Sequence, residues 1–443
     1  MNPTPIPAEL TRGWLTADVP AIPGTLRDEL SDFRVEEVPL YEPAGEGEHL
    51  YLRIEKTGIS TDEAIRRIAR TLGVPRARIG HAGLKDARAI AVQSLSIQGA
   101  VVHQAKQLEG LEGVRVLEAK LHRNKLKVGH LAGNRFQLVL RGAGPHEAAA
   151  RTVLERLAAT GAAAYFGLQR FGRDRTTHRL GEALVHDQAE RFIELLLYGP
   201  GGRDGPDAAE PTAPEPLDDD DEGEEAPAAP PPQPGRVAEA RALLRKGDLE
   251  GAARAMPMAL ASEHAALRCL AQGRGAEAAI KAVPLRMRSF YTAAFQSWLF
   301  DGYLDRRLAR GALGTLEAGE IATLHRNGAS FHVEDAATES GRAATLELSP
   351  SGPMFGSRLL RPRDGSTALQ DEEAVLAARA PGLDAELTPA FGAKPQGERR
   401  ALRIPVREVS VAAEGADLKI GFLLPRGCYA TTVLEELVKR RLD

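Results

Sequence analysis

Strands are predicted where apolar and polar residues alternate, and the clearest cases lie towards the two ends of the chain. Leu50, Leu52 and Ile54 alternate with more polar residues, and the stretches 135–140 and 418–424 repeat this pattern. Because successive side chains of a strand point to opposite faces, each stretch predicts a strand with one buried face.

Helices are predicted where apolar residues recur at intervals of three and four. The STDE sequence at 60–63 is a capping box, apolar residues follow it at helical spacing, and Gly73 ends the pattern. Segments 238–282 and 289–308 are also typical of helices. The chain is therefore predicted to be α+β, with strands towards both ends, helices concentrated in the middle and no internal repeat.

The last apolar pattern predicts a C-terminal helix. It begins at about Thr431 and places Lys439, Arg440 and Arg441 in its last turn. Cations in that position interact favourably with the partial negative charge at a helix C-terminus.

A segment at 199–235 differs in composition from the rest of the chain. It is rich in proline and glycine, and its residues 201–235 hold eleven acidic side chains and one basic one. So few large apolar groups cannot offset the entropy of ordering, which predicts a disordered acidic loop. A solvated insertion without function is favoured over an acidic tract that competes with a nucleic acid for a basic groove. Residues 201–235 therefore carry a charge of −10, and since the net charge of the chain is −4, the residues outside this segment carry +6. That small excess by itself indicates only a surface of mixed charge.

Composition and motifs narrow the class of protein. The 443 residues suffice for two or three domains, the N-terminus does not resemble a secretory signal, and no apolar stretch could cross a bilayer. Cys269 and Cys428 are the only cysteines, which argues against a disulfide framework or a thiolate metal cluster. Phosphate-loop, zinc-protease and zinc-deaminase motifs are absent. We therefore expect a soluble cytoplasmic protein without cofactor or metal.

The GLKD sequence at 83–86 is the most informative local motif. Glycine allows a backbone to approach a ligand closely, and a carboxylate beside basic side chains stays ionised, as a nucleophile or a base requires. Taken alone, however, Lys85-Asp86 is a common surface dipeptide, and a solvated turn is the favoured interpretation.

Seven further blocks change that interpretation because they occur together and in order. They are LRDELSDFRVEE at 26–37, GNRF at 133–136, YFGLQRFG at 165–172, AFQSWLF at 294–300, SPSGPMFG at 349–356, GERR at 397–400 and FLLPRGCYAT at 422–431. With GLKD, this series resembles the TruD family of pseudouridine synthases over residues from about 25 to 440. The acidic segment has no counterpart in the resemblance.

The resemblance implies roles for individual residues. Asp86 occupies the position of the catalytic aspartate, Phe33, Asn134 and Tyr429 match positions that contact the target nucleotide, and Phe136 stands where this family places phenylalanine. Aromatic faces can replace part of the stacking that a flipped base loses, and an Asn amide can read a uracil edge or a sugar hydroxyl. Each aromatic residue has a plainer interpretation as a core side chain, and Phe33 and Phe136 could be both.

The expected mechanism detaches uracil, turns it and rejoins it through C5. Asp86 would act as nucleophile or base, and a nearby cation, Arg27 or Lys85, would keep it ionised. Three positions depart from the family pattern: Arg27 replaces the usual lysine, and Ala164 and Asp301 replace asparagine. Arginine keeps the charge of lysine but arranges its donors differently, so the geometry of the Arg27 partner is in question. Ala164 and Asp301 do not touch the aspartate motif, so for them local packing or RNA contacts are in question before catalysis is.

The architecture implied by the resemblance is a pseudouridine synthase core with an inserted domain. The core, a curved, mixed and largely antiparallel sheet with flanking helices, is placed at 1–163 and 398–443, and the insertion at 164–397. RNA would lie in the cleft between them. Four arginines could meet its phosphates there or could equally be solvated: Arg170, Arg173, Arg175 and Arg179.

The expected partner is tRNA, modified at uridine-13 by analogy with bacterial relatives, with no membrane and no obligate protein partner. Two alternatives remain. A non-catalytic RNA-binding relative would not need Asp86, and the same chemistry could act on another RNA. A third interpretation, a helical interaction scaffold, leaves the glycine and aromatic blocks unexplained.

Overall fold

The structure is a computed structural model that describes residues 6–172, 174–203, 235–388, 391 and 394–442. The predicted disordered loop at 199–235 therefore lies outside the described residues, except for its two ends. No helix in the described ranges is both long and apolar enough to cross a membrane.

The described residues form fifteen strands and twelve α-helices. The strands are β1 (Thr25–Leu26), β2 (Phe33–Pro39), β3 (His49–Thr57), β4 (Ile79–His81), β5 (Ile90–Gln98), β6 (Val114–His122), β7 (Leu131–Arg141), β8 (Ala162–Ala163), β9 (Ile321–Leu324), β10 (Ser330–His332), β11 (Leu348–Met354), β12 (Glu398–Ala401), β13 (Arg403–Ile404), β14 (Arg407–Glu414) and β15 (Asp417–Pro425). The helices are α1 (Thr61–Leu72), α2 (Glu147–Thr160), α3 (Thr177–Val185), α4 (Ala189–Tyr198), α5 (Arg236–Arg245), α6 (Leu249–Ala255), α7 (Ala261–Ala271), α8 (Ala276–Ala282), α9 (Leu285–Ala309), α10 (Ala336–Ala344), α11 (Thr367–Arg379) and α12 (Ala430–Val438).

The largest sheet joins strands from both ends of the chain. Its strand order is β14-β15-β7-β2-β5-β3-β6, with β1 paired to β7 and β4 paired to β5. Only β2 and β5 run parallel; the other neighbours in this sheet are antiparallel. The α+β prediction, with a mixed and largely antiparallel sheet and flanking helices, is confirmed.

One face of this sheet is covered by helices. Helices α2 and α12 pack on the half formed by β2, β7 and β15, and α1 packs on the half formed by β3 and β5. The opposite face carries charged pairs, among them Arg34 with Glu55 at 3.1 Å and Arg53 with Glu36 at 2.5 Å. Alternation along each strand therefore separates a buried face from a solvated one, as the apolar pattern predicts.

Helix α1 follows its predicted end signals. The Ser60 hydroxyl accepts the N–H of Glu63 at 3.1 Å, and Gly73 ends the helix in the left-handed region at φ +64°. A glycine adopts that conformation without the steric cost that a Cβ imposes.

The end of α12 differs from the prediction. The helix stops at Val438, and Lys439 adopts the left-handed region at φ +49°. The three basic residues therefore lie beyond the helix rather than in its last turn. Arg441 instead donates to the carbonyl oxygens of Leu10 and Phe166 at 2.8 and 2.7 Å, so the chain turns away from the helix axis to make these contacts.

The middle of the chain contains helices α5 to α9, as predicted, and also helices α3 and α4 and a sheet that the prediction lacked. Its order is β10-β9-β11-β12. Strand β11 is buried along its whole length, so it shows no alternation from which a strand could be predicted. The proposed domain boundaries remain predictions; β12, just after residue 397, pairs with β11, and β13 pairs with β8.

Candidate active site

The loop that carries Asp86 connects β4 to β5 beside a gap in the main sheet. Strands β2 and β4 occupy successive parts of the same edge of β5, through residues 90–92 and 95–97 respectively. Ser94 lies between these two ladders, and its N–H donates to the Glu37 carboxylate at 3.1 Å. A glutamate side chain thus completes the hydrogen bonding where the strands diverge.

The Asp86 carboxylate has two partners and remains accessible. Its Oδ2 lies 2.6 Å from Arg27 Nη1, and its Oδ1 accepts the N–H of Arg88 at 2.8 Å. The side chain is 34% exposed. An adjacent guanidinium stabilises the negative charge of a carboxylate, and the exposed part leaves room for a substrate.

Arg27 is itself held in a defined position. Its backbone lies in the left-handed region at φ +63°, which is uncommon for a residue with a side chain. Its guanidinium carbon lies 4.2 Å from the centre of the Phe33 ring. Phe33, Arg27 and Asp86 therefore form a continuous series of contacts from the core to the exposed carboxylate.

Lys85 does not take part in the ion pair between Arg27 and Asp86. Its Nζ lies 3.2 Å from Glu37 Oε2, with side chains only 6% and 1% exposed. Its backbone N–H donates to the Thr61 hydroxyl at 2.9 Å, and Thr61 donates to Gln93 at 2.9 Å. Of the two cations considered for Asp86, the structure places Arg27 against the carboxylate and uses Lys85 to attach the loop to the sheet and to α1.

Lys56 is a site residue that the sequence analysis missed. It is fully buried, and its Nζ donates to the main-chain carbonyls of Asp86 at 2.6 Å and Ile59 at 2.8 Å. Burial lowers the pKa of the Lys56 ammonium to about 8; Asp86 opposes this shift, and Lys85 adds to it. The sequence contains a signal for this buried lysine, because Lys56 continues the alternation of Leu52 and Ile54 on the buried face of β3.

The predicted aromatic residues divide into buried and exposed ones. Phe33 and Phe136 are buried and meet edge to face at 6.1 Å, and Phe136 also packs against Phe422 at 5.4 Å. These two are core residues of the helix-covered face, and Phe33 also contacts Arg27. Tyr429 is 50% exposed and directly precedes α12.

A row of polar residues crosses the helix-covered face between its two apolar cores. Strand pairing aligns Asn134 with Glu37 on one side and with Leu424 on the other. Gln93, buried on β5 opposite Ile54, continues the row. The Asn134 Oδ1 is buried and has no hydrogen-bond partner within the described ranges. Buried polar atoms are usually paired, so an unpaired amide oxygen beside Glu37 is a candidate for ligand contact.

Comparison with known proteins identifies the family. The model of "tRNA pseudouridine synthase D (TruD)" matches residues 9–225 and 227–437. The chain belongs to the TruD family. It is thus a pseudouridine synthase, an isomerase, and the resemblance found in the sequence is confirmed.

Relatives of the TruD family match nearly the whole chain. The tRNA pseudouridine synthase D of Geotalea daltonii is 38% identical over 433 residues, covering 96% of this chain and 99% of the relative. That of Geobacter sulfurreducens is 39% identical, covering 96% and 97%. A crystal structure from Methanosarcina mazei assigned to TruD superposes with a TM-score of 0.77 at 23% identity, covering 97% and 96%, and supports the fold.

The arginines predicted to meet phosphates in this TruD chain have different surroundings. Arg170 Nε donates to the Ser297 hydroxyl at 2.9 Å, Arg175 is buried, and Arg179 pairs with Glu9. Arg173 lies outside the described residues. No cluster of three or more potential metal-ligating His, Cys, Asp or Glu side chains occurs in the part of the chain that the structure describes.

Proposed function

We propose that this chain isomerises a uridine of tRNA to pseudouridine and that Asp86 is the catalytic carboxylate. The observation that carries the proposal is the exposed Asp86 carboxylate, paired with Arg27 over the ring of Phe33. The names of the relatives supply tRNA as the substrate class. By family analogy, the target is uridine-13 in the D-arm and the enzyme acts in the cytoplasm.

The reaction breaks the bond between N1 of uracil and C1′, and forms one between C5 and C1′. C5 then gives up its proton and N1 gains one, so no redox change and no group donor is required. Asp86 acts as nucleophile or base, with Arg27 stabilising its negative charge. Lys56 and the Arg88 N–H fix the main chain and one carboxylate oxygen, so that little reorganisation is needed when the base arrives.

Asn134 and Tyr429 are the proposed contacts to the extruded nucleotide. The Asn134 amide oxygen can accept a hydrogen bond from the uracil edge or the sugar, because no protein donor in the described ranges occupies it. Tyr429, half-exposed at the start of α12, supplies a ring face for stacking. Phe33 and Phe136 support Arg27 and the floor of the site from the core.

The test maps pseudouridine on tRNA incubated with wild type, Asp86→Asn and Asp62→Asn. Asp62 is a matched control, since it lies on α1, its side chain is 37% exposed, and it pairs with Arg76 rather than with a residue of the loop. We expect one modified D-arm uridine with wild type and Asp62→Asn, and none with Asp86→Asn. Binding of tRNA by wild type without any pseudouridine would instead support the non-catalytic relative, and a modified site in another RNA would overturn the substrate.

A further inference from the structure

Two neighbouring arginines of β12 differ sharply in their use of hydrogen bonds. Arg399 donates to Glu372 at 2.7 Å, and to the Ser351 hydroxyl and carbonyl at 3.1 and 2.6 Å. The Arg400 side chain makes no hydrogen bond or ion pair with the described residues, and its Nε is buried without a partner. Since a guanidinium has five N–H donors and is always charged, this arrangement needs a reason other than internal pairing.

Aromatic rings hold the Arg400 guanidinium in place. Its central carbon lies 4.3 Å from the centre of the Phe166 ring and 5.5 Å from that of Phe300. Those two rings meet edge to face at 5.7 Å, which fixes the surface on which the guanidinium lies. Arg170 also lies over Phe166, at 5.4 Å. Two cations therefore share one ring, and stacking leaves the donor edge of Arg400 available.

This cation lies close to the segment that carries Tyr429. The charge of Arg400 acts on the Cys428 thiol, opposing the burial that raises the pKa of that thiol to about 11. A Cβ on Gly167, the residue after Phe166, would lie 3.9 Å from the Thr431 hydroxyl. Arg400 thus belongs to the wall of the site that faces the start of α12.

We propose that Arg400 binds a phosphate of the RNA strand beside the target nucleotide. This inference rests on the proposed function, because it requires RNA at Asp86 and Tyr429. A guanidinium matches a phosphate through two parallel N–H donors, and stacking on Phe166 orients that fork before binding. Phosphate contacts fix the register of a nucleic acid without reading its sequence, so Arg400 would position the strand.

The experiment measures tRNA affinity over a series of salt concentrations. All proteins carry Asp86→Asn, so that binding is observed without turnover. Each phosphate neutralised by the protein adds roughly 0.7 to 0.9 to the slope of log affinity against log salt. We expect Arg400→Gln to make the slope shallower by roughly 0.7 to 0.9 and to weaken binding about tenfold at low salt. Arg400→Lys keeps a charge, so its slope should stay near that of the parent.

Arg115→Gln is the matched control. Arg115 lies on the solvated face of the main sheet, pairs with Glu55 at 2.8 Å and is also a single arginine, so its removal changes the net charge equally. Its slope and affinity should equal those of the parent.

The outcomes separate this inference from the proposed function. An unchanged slope in Arg400→Gln, with tRNA still bound by the parent, would overturn the phosphate contact alone and make Arg400 a packing residue. A parent that does not bind tRNA would overturn both. A slope lowered equally by Arg115→Gln would also overturn the inference, because any lost charge would then have the same effect.

Discussion

Removing Lys85 tests how the loop that carries Asp86 is attached to the sheet. In Lys85→Met the ammonium disappears, but Glu37 stays in place at 1% exposure, with one oxygen bound to the Ser94 N–H. The variant therefore leaves a buried carboxylate without its counter-charge. Breaking a buried ion pair from one side costs about 3–5 kcal/mol. Because a domain is stable by only about 5–15 kcal/mol, this loss is a large fraction of the total.

Adding Glu37→Gln to Lys85→Met distinguishes the effect of the unpaired Glu37 charge from the effect of losing the Lys85 contact. The amide oxygen of glutamine can still accept the Ser94 N–H, and no charge remains buried. We expect the double variant to regain at least about 2 kcal/mol of unfolding free energy relative to Lys85→Met. Urea denaturation at pH 7, followed by circular dichroism, provides the measurement.

Lys120→Met is the control for this series. Lys120 pairs with Glu118, and both side chains are nearly half exposed, so its loss should change stability by less than about 1 kcal/mol. The reasoning is refuted if Lys85→Met costs no more than Lys120→Met. It is also refuted if adding Glu37→Gln brings no recovery, because the buried charge would then not be the cause.

Two further predictions concern the exposed aromatic residue and a departure from the family pattern. Tyr429→Ala should lower kcat/KM for tRNA about 10- to 100-fold through lost stacking, whereas Tyr429→Phe should keep it; equal losses in both variants would contradict a stacking role. Burial raises the pKa of Asp301 from 3.8 to about 7, so the folded protein keeps a proton that the unfolded chain has lost between pH 4 and 7, and stability falls as pH rises through that window. Asp301→Asn can still accept the Phe166 N–H. It should therefore be more stable than wild type at pH 8 by up to about 4 kcal/mol, and by much less at pH 4. If urea denaturation gave the same stability difference between the two proteins at pH 8 and at pH 4, the reasoning would be wrong.

Elements with local signals could be predicted from the sequence. Helix α1 has a cap at Ser60 and a glycine at its end, and β3 alternates clearly, so neither depends on distant residues. The sheet β9–β12 could not be predicted in this way, because β11 is buried on both faces and contains Pro350 and Pro353. The alternation rule requires one solvated face.

The motif blocks named several residues that the structure brings together around Asp86, but they did not name Lys56 and did not predict the ion pairs. The motif blocks place Asp86, Arg27 and Lys85 together, yet they do not tell which cation meets which carboxylate. That choice depends on the gap at Ser94, which forms only when β2 and β4 lie along the same strand. Glu37 lies in the block at 26–37, but its role as the partner of Lys85 depends on the register of three strands.

The joining of both ends of the chain in one sheet has a consequence for the time at which activity can arise. Strand β7 pairs with β2, which is synthesised before it. The other edge of β7 can pair only after β15 has been synthesised, since that edge aligns Asn134 with Leu424. At a synthesis rate of about 5–20 residues per second, that edge stays unpaired for roughly 15–60 s while the intervening chain is made. An unpaired edge is prone to wrong pairing, so we expect early folding of the inserted helices and later closure of the sheet. The Asp86 loop can form well before Tyr429 is synthesised, so a nascent chain would hold the proposed catalytic carboxylate long before it held the aromatic residue proposed to stack on the uridine.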